Sequence, residues 1–306
     1  MTELTIYIPT YNRLNKLTNC LTAIKHDIAG YEDKVIVYVS NNASNDGTKE
    51  YLDSLDWIKV RHNDTNLGFS GNVIHGYNLP FESKFVWIIG DDDYLIAGSI
   101  SELLELTKCD VDYIFCNTTA FVNESELEVW GSYPNIPKGI IKGKCKDVVN
   151  TTFDNLIDFQ IADTLLGELM VNCFRQSAVR WSGDLDHPDE FERTGRQMQP
   201  HNLPFIECFT KETKALYVPT PRTFNFWGSA EWLDNYDYVY PIIMLWLIKK
   251  YKKFVSKEKY DELLKGYFVI MQKSLERQFC GISKAQPLPE HIKLIILNEF
   301  ENAQNS

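Results

Sequence analysis

The chain has 306 residues, enough for about two domains of ~150 residues each. Hydrophobic residues make up 44% and charged residues 24%, which is typical of a globular protein and excludes a wholly disordered or fibrous chain. Lys and Arg total 31 against 42 Asp and Glu, so the net charge is −11. This charge excludes a protein that binds nucleic acid by neutralising phosphates over its whole surface, and we expect no nucleic-acid partner.

The first hundred residues alternate between strand and helix patterns. Apolar, β-branched runs predict strands, and apolar residues at helical spacing between them predict helices. The predicted strands are 4–9, 34–40, 57–60 and 84–90, and the predicted helices are 15–28, 48–55 and 70–79. Such alternation predicts an α/β fold with right-handed crossovers and a mostly parallel sheet, in which ligands bind beyond the carboxyl ends of the strands.

The pattern changes near residue 230. Three helices are predicted at 232–254, 257–280 and 289–303, with no strands between them. We therefore divide the chain into an α/β domain, 1–225, and a C-terminal helical region, 226–306.

The amino terminus carries acidic Glu3 and a short strand where a signal peptide would have a basic segment before an apolar run. The seven cysteines are scattered, form no CxxC pair and favour free thiols in a reducing compartment. The longest apolar run, 239–248, is too short to span a bilayer. We therefore expect a cytoplasmic protein.

Three adjacent carboxylates, Asp91, Asp92 and Asp93, follow the apolar strand KFVWIIG. Adjacent carboxylates repel one another, so a folded protein keeps them close only in water or around a cation. Hard oxygen ligands suit Mg²⁺ or Mn²⁺, which in turn bridge phosphate oxygens. A solvated acidic turn is the alternative, but an apolar strand of this kind should lie at the sheet centre. We therefore treat all three as candidate ligands of Mn²⁺ or Mg²⁺.

Two other loops follow predicted strands. NNASNDG, 41–47, is rich in turn formers and leads into a helix. NLGFSGN, 66–72, has glycines before a helix but lacks the GxGxxG and GxxxxGK[ST] patterns. Its backbone N–H groups can still bind an anion.

Four segments taken together resemble the successive landmarks of a known family: IPTYNR (8–13), VSNNASNDGT (39–48), NLGFSGN (66–72) and WIIGDDDYL (87–95). That family is the large, mostly inverting glycosyltransferase family 2, and the resemblance is to its bacterial O-antigen, abequosyltransferase-like type. It covers about the first hundred residues, weakens after them and is absent after 230. It implies a GT-A fold, in which helices flank a Rossmann-like, mostly parallel sheet, here with a C-terminal helical extension.

The resemblance also implies an activity. It is the metal-dependent, inverting transfer of a hexosyl or deoxyhexosyl group from a UDP-, dTDP- or CDP-linked sugar. The acceptor would be a hydroxyl of a saccharide or a lipid-linked molecule in the synthesis of O-antigen or capsule. Two alternatives stay open: a catalytically inactive nucleotide-sugar-binding homologue, and a sugar-1-phosphate nucleotidyltransferase. The second normally opens with a glycine-rich loop that IPTYNR does not resemble.

The site residues that the resemblance implies lie mostly in the four landmarks. Asn41 stands where the family usually has an aspartate that accepts a hydrogen bond from the base. Since an amide both donates and accepts, Asn41 is compatible with uracil or cytosine. The candidate donor-binding residues are Pro9, Thr10, Tyr11, Arg13, Asn41, Asn42, Asn66, Gly68, Asn72 and Asp91.

Within the acidic motif, Gly90 stands where many family members have their first aspartate. The metal-binding pair is therefore either Asp91 with Asp93 or Asp92 with Asp93. Asp93 is the preferred ligand and is expected to take part in catalysis.

The family's general base usually belongs to a Glu-Asp pair about a hundred residues after the acidic motif, and no such pair is present. His201 falls at the matching position and is the candidate base, with a structural histidine as the alternative. Nearby carboxylates compete for the role, namely Asp184, Asp186, Asp189 and Glu190.

Two basic features complete the prediction. Arg222, after the last predicted strand, either contacts the diphosphate or an acidic acceptor, or is an ordinary surface arginine. The lysine-rich segment 249–259 follows an apolar helix and fits peripheral contact with the inner face of the cytoplasmic membrane. An ordinary helix with a solvated lysine face is the alternative.

Overall fold

The computed structural model describes residues 2–121, 147–161, 165–181, 183–226 and 234–304. Its strands are β1 (Thr2–Thr10), β2 (Val35–Asn41), β3 (Lys59–His62), β4 (Ser83–Ile88), β5 (Tyr94–Leu95), β6 (Tyr113–Phe121), β7 (Val149–Thr152), β8 (Asn172–Arg175) and β9 (Lys214–Phe226). Its α-helices are α1 (Leu14–Asp27), α2 (Thr48–Asp53), α3 (Gly68–Ile74), α4 (Ser99–Leu106), α5 (Glu190–Met198), α6 (Leu203–Cys208), α7 (Tyr236–Tyr251), α8 (Lys257–Phe279) and α9 (Glu290–Gln304).

The strands form one sheet in the order β3-β2-β1-β4-β8-β6-β9-β5, and β7 pairs with β9. The strands predicted from the first hundred residues are β1 to β4, and their pairings with one another are all parallel. Antiparallel pairs enter with β8, which lies between β4 and β6. The predicted α/β fold is confirmed, with β1 to β4 forming one parallel part and β6 and β9 a further parallel pair.

The centre of the sheet lies at β1 and β4. In β1, Leu4, Ile6, Tyr7 and Ile8 are all inaccessible to solvent, so the strand is buried on both faces. Parallel strands covered by helices on both sides have such continuous apolar runs. Residues 85–88 of β4 are buried in the same way, so the strand before the three aspartates does lie at the sheet centre.

The three predicted C-terminal helices are observed as α7, α8 and α9. Helix α7 is buried nearly all round, and its apolar residues belong to the same core cluster as those of the sheet. It packs against both α5 and α8. The domain boundary at residue 225 stays a prediction. Residues on both sides of it belong to one hydrophobic core.

An ion pair between the buried Asp237 carboxylate and the partly exposed Arg277 guanidinium connects α7 to α8. The Asp237 carboxylate accepts hydrogen bonds from Arg277 Nε at 2.6 Å, Ser274 Oγ at 2.8 Å and Ser283 Oγ at 2.9 Å. The Arg277 hydrogen bond is the largest of the effects that lower the pKa of Asp237 to about 2.

We expect Asp237→Asn to lower the free energy of unfolding by about 2 kcal/mol at pH 7, since a pKa unit corresponds to about 1.4 kcal/mol. The folded-state pKa lies below the unfolded value. The stabilisation is therefore complete above pH 5 and is lost as the pH falls through about 4 towards 2. Urea unfolding at pH 7 and pH 3 should show the gap between wild type and variant narrowing at pH 3. Glu105→Gln, which removes an exposed pair with Lys108, is the control and should change little. An equal loss in the two variants would contradict the prediction.

Candidate active site

The predicted site residues meet where β1, β2 and β4 end. Thr10 and Asn41 are register neighbours at the ends of β1 and β2, and Asn41 is in turn paired with His62 on β3. The buried Thr10 hydroxyl donates to Asp91 Oδ2 at 2.7 Å. The loop after β1 and the acidic loop after β4 are therefore joined directly.

Arg13 lies between two carboxylates of the acidic cluster. Its Nη1 donates to Asp91 Oδ1 at 2.6 Å, and its Nη2 donates to Asp92 Oδ2 at 2.5 Å. Lys16 Nζ lies 3.7 Å from the same Asp92 oxygen. A guanidinium thus places positive charge beside the carboxylates for which the sequence predicts a cation.

Asp93 is held by the backbone of its own loop. Its buried carboxylate accepts a hydrogen bond from the Gly90 N–H at 2.6 Å. A Cβ at residue 90 would lie 2.9 Å from Asp93 Oδ2 and 3.2 Å from Asp92 Oδ1. A glycine at this position lets both carboxylates approach the backbone, which accounts for the departure from the family's usual motif.

Burial raises the pKa of two of these carboxyls. It raises the pKa of Asp91 to about 6, with the nearby Arg13 charge acting in the opposite direction. Burial, and next the Asp92 charge, raise the pKa of Asp93 well above its ordinary value. Both groups are therefore destabilised as anions and would be stabilised by a bound cation.

The donor set fits Mg²⁺ or Mn²⁺, because it consists of hard carboxylate oxygens around a position that already attracts a cationic group. Within the described ranges, no three His, Cys, Asp or Glu side chains are arranged as a complete metal site. Mg²⁺ commonly needs only one or two carboxylates where substrate phosphates supply further ligands. The acidic cluster fits a cation site in which the protein supplies one or two carboxylates and the substrate phosphates supply further ligands.

The Asn42 amide forms hydrogen bonds through both its nitrogen and its oxygen, and most of them hold the loop at 66–68. Its Nδ2 donates to Asn66 Oδ1 at 2.7 Å and to Gly68 O at 3.1 Å. Its Oδ1 accepts from Asn63 Nδ2 at 3.0 Å and from the Leu67 N–H at 2.9 Å. Gly68 has a φ of 72°, a left-handed conformation that favours glycine. Asn42 and Asn66 therefore shape this loop through their side chains.

Asn72 has the same bridging role between strands. Its Nδ2 donates to Ser40 O at 2.9 Å, and its Oδ1 accepts from Ser40 Oγ at 2.7 Å and Asn63 Nδ2 at 3.1 Å. Pro9 is buried at the end of β1. Both residues are buried, and the Asn72 amide is already hydrogen-bonded within the protein.

Asn41 and Tyr11 differ in accessibility. The buried Asn41 Oδ1 accepts the Ser44 N–H at 3.1 Å, and its Nδ2 lies 3.0 Å from His62 Nδ1. Tyr11 is 41% exposed. An exposed ring beside this edge of the sheet is well suited to stack on a planar base, whereas Asn41 is already oriented by two partners.

Arg222 is buried against helix α4. Its Nη2 lies 2.6 Å from Glu102 Oε2, and its buried Nε has no hydrogen-bond partner in the described part of the chain. The guanidinium charge is balanced by Glu102, so the structure gives Arg222 an ionic partner other than a diphosphate.

His201, the predicted base, is buried in the core. Its Nε2 lies 2.8 Å from the Gly167 carbonyl oxygen, so this nitrogen carries the proton and donates. Burial lowers the pKa of His201 to about 4, which keeps the ring neutral at ordinary pH. A ring already bonded to the backbone through Nε2 is a poor candidate for proton transfer from an acceptor.

The competing carboxylates are engaged in local structure. Asp189 caps helix α5 by accepting the Glu192 N–H at 2.9 Å, and Asp184 accepts the Asp186 N–H at 2.8 Å. Asp186 Oδ1 accepts the His187 N–H at 3.0 Å, and Glu190 lies 3.2 Å from His291. Each of the four carboxylates therefore has a local structural contact, and none of these contacts requires a role in catalysis.

The structure brings one unpredicted carboxylate to the site. Glu168, between a short loop and β8, lies close enough to Asp93 for its charge to raise the pKa of that carboxyl. It is half-buried, and its backbone oxygen accepts from Asn172 Nδ2 at 2.6 Å. The available sequence signal was a lone acidic residue inside the apolar run LLGELMV, which lies in the weakly matched part of the chain.

Three of the six lysines of segment 249–259 form ion pairs within the chain. Lys250 lies 2.6 Å from Glu192, Lys249 lies 2.5 Å from Glu299, and Lys259 lies 3.1 Å from Asp158. This pairing reduces the charge available to a lipid surface, and membrane contact stays a prediction. None of the helices in the described ranges is long and apolar enough to cross a membrane.

Solved structures place this architecture among the GT-A glycosyltransferases. TarS of S. aureus superposes with a TM-score of 0.60 at 14% identity, over 99% of this chain and 81% of that one, and has also been solved with UDP-GlcNAc. The mannosyltransferase PcManGT of Pyrobaculum calidifontis, in complex with GDP-Man and Mn²⁺, superposes with a TM-score of 0.50 at 13% identity, over 99% and 80%. The predicted GT-A fold is confirmed.

The family model Glycosyl transferase family 2 matches residues 5–178, more than half of the chain, so the chain belongs to this family. Abequosyltransferase RfbV of Salmonella typhimurium is 32% identical over 117 residues, which are 36% of this chain and 34% of that protein. The chain thus spans only about a third of the length of the curated relatives it matches. The family that the four sequence landmarks resemble is confirmed, and neither alternative class is supported.

Proposed function

We propose that the chain transfers a hexosyl or deoxyhexosyl group, with inversion, from a nucleotide-diphosphate sugar to a hydroxyl of a saccharide or lipid-linked acceptor. The setting that best fits the O-antigen-type resemblance is bacterial surface polysaccharide synthesis. The observation that carries the proposal is the Asp91–Asp93 cluster after the central strand β4, with Glu168 ahead of the antiparallel neighbour β8 and so at the same edge of the sheet.

The acidic cluster is proposed to hold Mn²⁺ or Mg²⁺, with Asp93 as one ligand and Asp91 or Asp92 as the other. The bound cation would neutralise the negative charge that develops on the departing diphosphate. Arg13, whose planar guanidinium suits phosphate oxygens, already lies beside this position. The fold neighbours that hold UDP-GlcNAc, or GDP-Man with Mn²⁺, support a donor of this class.

Glu168 is proposed as the general base. Its carboxylate accepts the proton of the acceptor hydroxyl as the acceptor oxygen forms a bond to the anomeric carbon. The bond from that carbon to the diphosphate oxygen breaks on the opposite side, and its electron pair leaves with the nucleoside diphosphate. A single displacement of this kind inverts the anomeric configuration.

The test is a panel of UDP-, dTDP- and CDP-sugars, each with and without Mn²⁺. We expect one nucleotide class to raise the melting temperature most in the presence of Mn²⁺, because a ligand that binds only the folded state stabilises it. The same donor should release its nucleoside diphosphate. Binding without release, with every acceptor tried, would favour an inactive homologue. Consumption of a nucleoside triphosphate and a sugar phosphate would indicate a nucleotidyltransferase.

Asn41→Asp is expected to shift donor preference towards uridine and against cytidine, because a carboxylate accepts the uracil N3–H but offers no donor to cytosine N3. The ratio of kcat/KM for matched UDP- and CDP-sugars measures the shift. Asn45→Asp, at an exposed position of the same 41–47 loop, is the control. If the wild type uses only uridine donors and Asn41→Asp leaves this donor preference unchanged, Asn41 does not recognise the base.

A further inference from the structure

The loop that precedes Glu168 has an unusual backbone. Leu165 and Leu166 have φ values of 50° and 67°, so two consecutive leucines adopt the left-handed conformation. This conformation is sterically unfavourable for a residue with a Cβ and persists only where the surroundings fix it. Both side chains are fully buried, so the surroundings are the protein core.

Three successive carbonyl groups of this loop each face a buried polar side chain. The Tyr251 hydroxyl lies 3.1 Å from Leu165 O, and Asn202 Nδ2 donates to Leu166 O at 3.0 Å. His201 Nε2 donates to Gly167 O at 2.8 Å. The Tyr251 hydroxyl also lies 3.2 Å from Asn202 Oδ1, so two of the donors contact each other.

The three donors are almost completely inaccessible to solvent, with exposures of 0% for Tyr251, 0% for Asn202 and 3% for His201. Within the described ranges, His201 Nδ1 is buried without any hydrogen-bond partner. Buried polar atoms of this kind are unfavourable for stability unless every one is satisfied. A polar cluster that leaves one atom unsatisfied indicates a role other than stability.

The cluster is connected to two other parts of the fold. Tyr251 is the last residue of α7, in the C-terminal region, while His201 O accepts a hydrogen bond from Tyr77 OH at 2.7 Å, just after α3. On the far side of the loop, Asn172 Nδ2 donates to Glu168 O at 2.6 Å. Each of the four carbonyls from 165 to 168 thus lies within hydrogen-bond distance of a side-chain donor.

We propose that Tyr251, Asn202 and His201 are positioning residues that hold the 165–168 loop, with its left-handed Leu165 and Leu166, and so keep the Glu168 carboxylate at the edge of the sheet that carries Asp93. The proposal rests on the role of Glu168 as the base. It gives the C-terminal helix α7 a part in catalysis, although α7 lies outside the segment matched by the family. It also gives His201 a role that its buried, proton-donating geometry allows.

Loss of one donor lets the loop relax towards an ordinary backbone conformation and moves the carboxylate away from the acceptor. Misplacement of a reacting group by about 1 Å is enough to lower a rate by about 10²-fold. The donor contacts proposed for Thr10 and Arg13 come from a different loop. We therefore expect a fall in kcat with little change in the KM for the donor.

The test is Tyr251→Phe, which removes one hydroxyl and keeps the ring, made in the wild type and in a Glu168→Gln background. We expect kcat to fall about 10-fold in the wild type and less than about 2-fold in the Glu168→Gln background. If Tyr251 acts only through Glu168, its loss has little further effect once the Glu168 carboxylate is removed. The matched control is Tyr267→Phe, another fully buried tyrosine, whose hydroxyl donates to Pro241 O at 3.1 Å away from the loop. It should leave kcat unchanged.

A second pair of variants tests His201. His201→Gln keeps a side-chain N–H donor and should retain more of kcat than His201→Leu, which has none. Equal fold-losses for Tyr251→Phe in the two backgrounds, or equal effects of Tyr251→Phe and Tyr267→Phe, would overturn the positioning role. Wild-type kcat in Glu168→Gln alone would instead overturn the assignment of the base itself, so the two failures are distinguishable.

Discussion

Glu168→Gln is expected to lower kcat for sugar transfer by about 10²- to 10⁴-fold, the usual contribution of a general base. Glutamine keeps the shape of the side chain but cannot accept the acceptor's proton at neutral pH. The KM for the donor should stay within about 2-fold of the wild-type value, because Glu168 is assigned to the acceptor and not to donor binding. Steady-state release of nucleoside diphosphate, with and without acceptor, measures both constants.

Glu190→Gln is the matched control, because Glu190 is a competing acidic candidate and lies in an exposed helix turn beside His291. It should retain wild-type kcat. A large loss in Glu190→Gln together with normal activity in Glu168→Gln would move the base to the region that the sequence favoured.

Chelation of divalent cations is expected to abolish transfer, and added Mn²⁺ to restore it. Asp93→Asn should lower kcat/KM by about 10²- to 10³-fold, the range seen when one group that stabilises developing negative charge is lost. The neutral amide keeps the size of the carboxylate but is a weaker ligand for a hard cation. Titration with Mn²⁺ in the presence of a nucleoside diphosphate separates loss of cation binding from loss of turnover.

The corresponding variants Asp91→Asn and Asp92→Asn identify the second ligand. The one that weakens Mn²⁺ binding more is the partner of Asp93, and the other serves as its control. Transfer that survives both chelation and Asp93→Asn would remove the cation from the mechanism and with it the main interpretation of the acidic cluster.

The sequence predicted the parallel half of the sheet well, because local patterns determine it. Mostly apolar runs of six to nine residues, each followed by polar turns, are strands buried on both faces, and β1, β2 and β4 are strands of this kind. The three C-terminal helices were also predictable, since their apolar residues recur at helical spacing. The antiparallel insertion of β8 between β4 and β6 was not, because it depends on contacts between distant segments.

The site was predictable only in part for the same reason. The positions of Thr10, Arg13 and the aspartates follow from strand ends, which are local features. That Asn42 and Asn72 hold loops in place depends on partners that no spacing indicates. Glu168 carries no motif and is brought to Asp93 by the fold alone.

Gly90 has a consequence for how chains of this kind are searched for and altered. Restoring an acid at this position would place its side chain where the Asp92 and Asp93 oxygens already lie, 2.9 to 3.2 Å from the new Cβ. A residue with a Cβ at this position would require the Asp92 and Asp93 carboxylates to shift. A search that demands an acid at residue 90 would discard such chains, whereas one that requires a glycine and three aspartates after a buried strand would retain them.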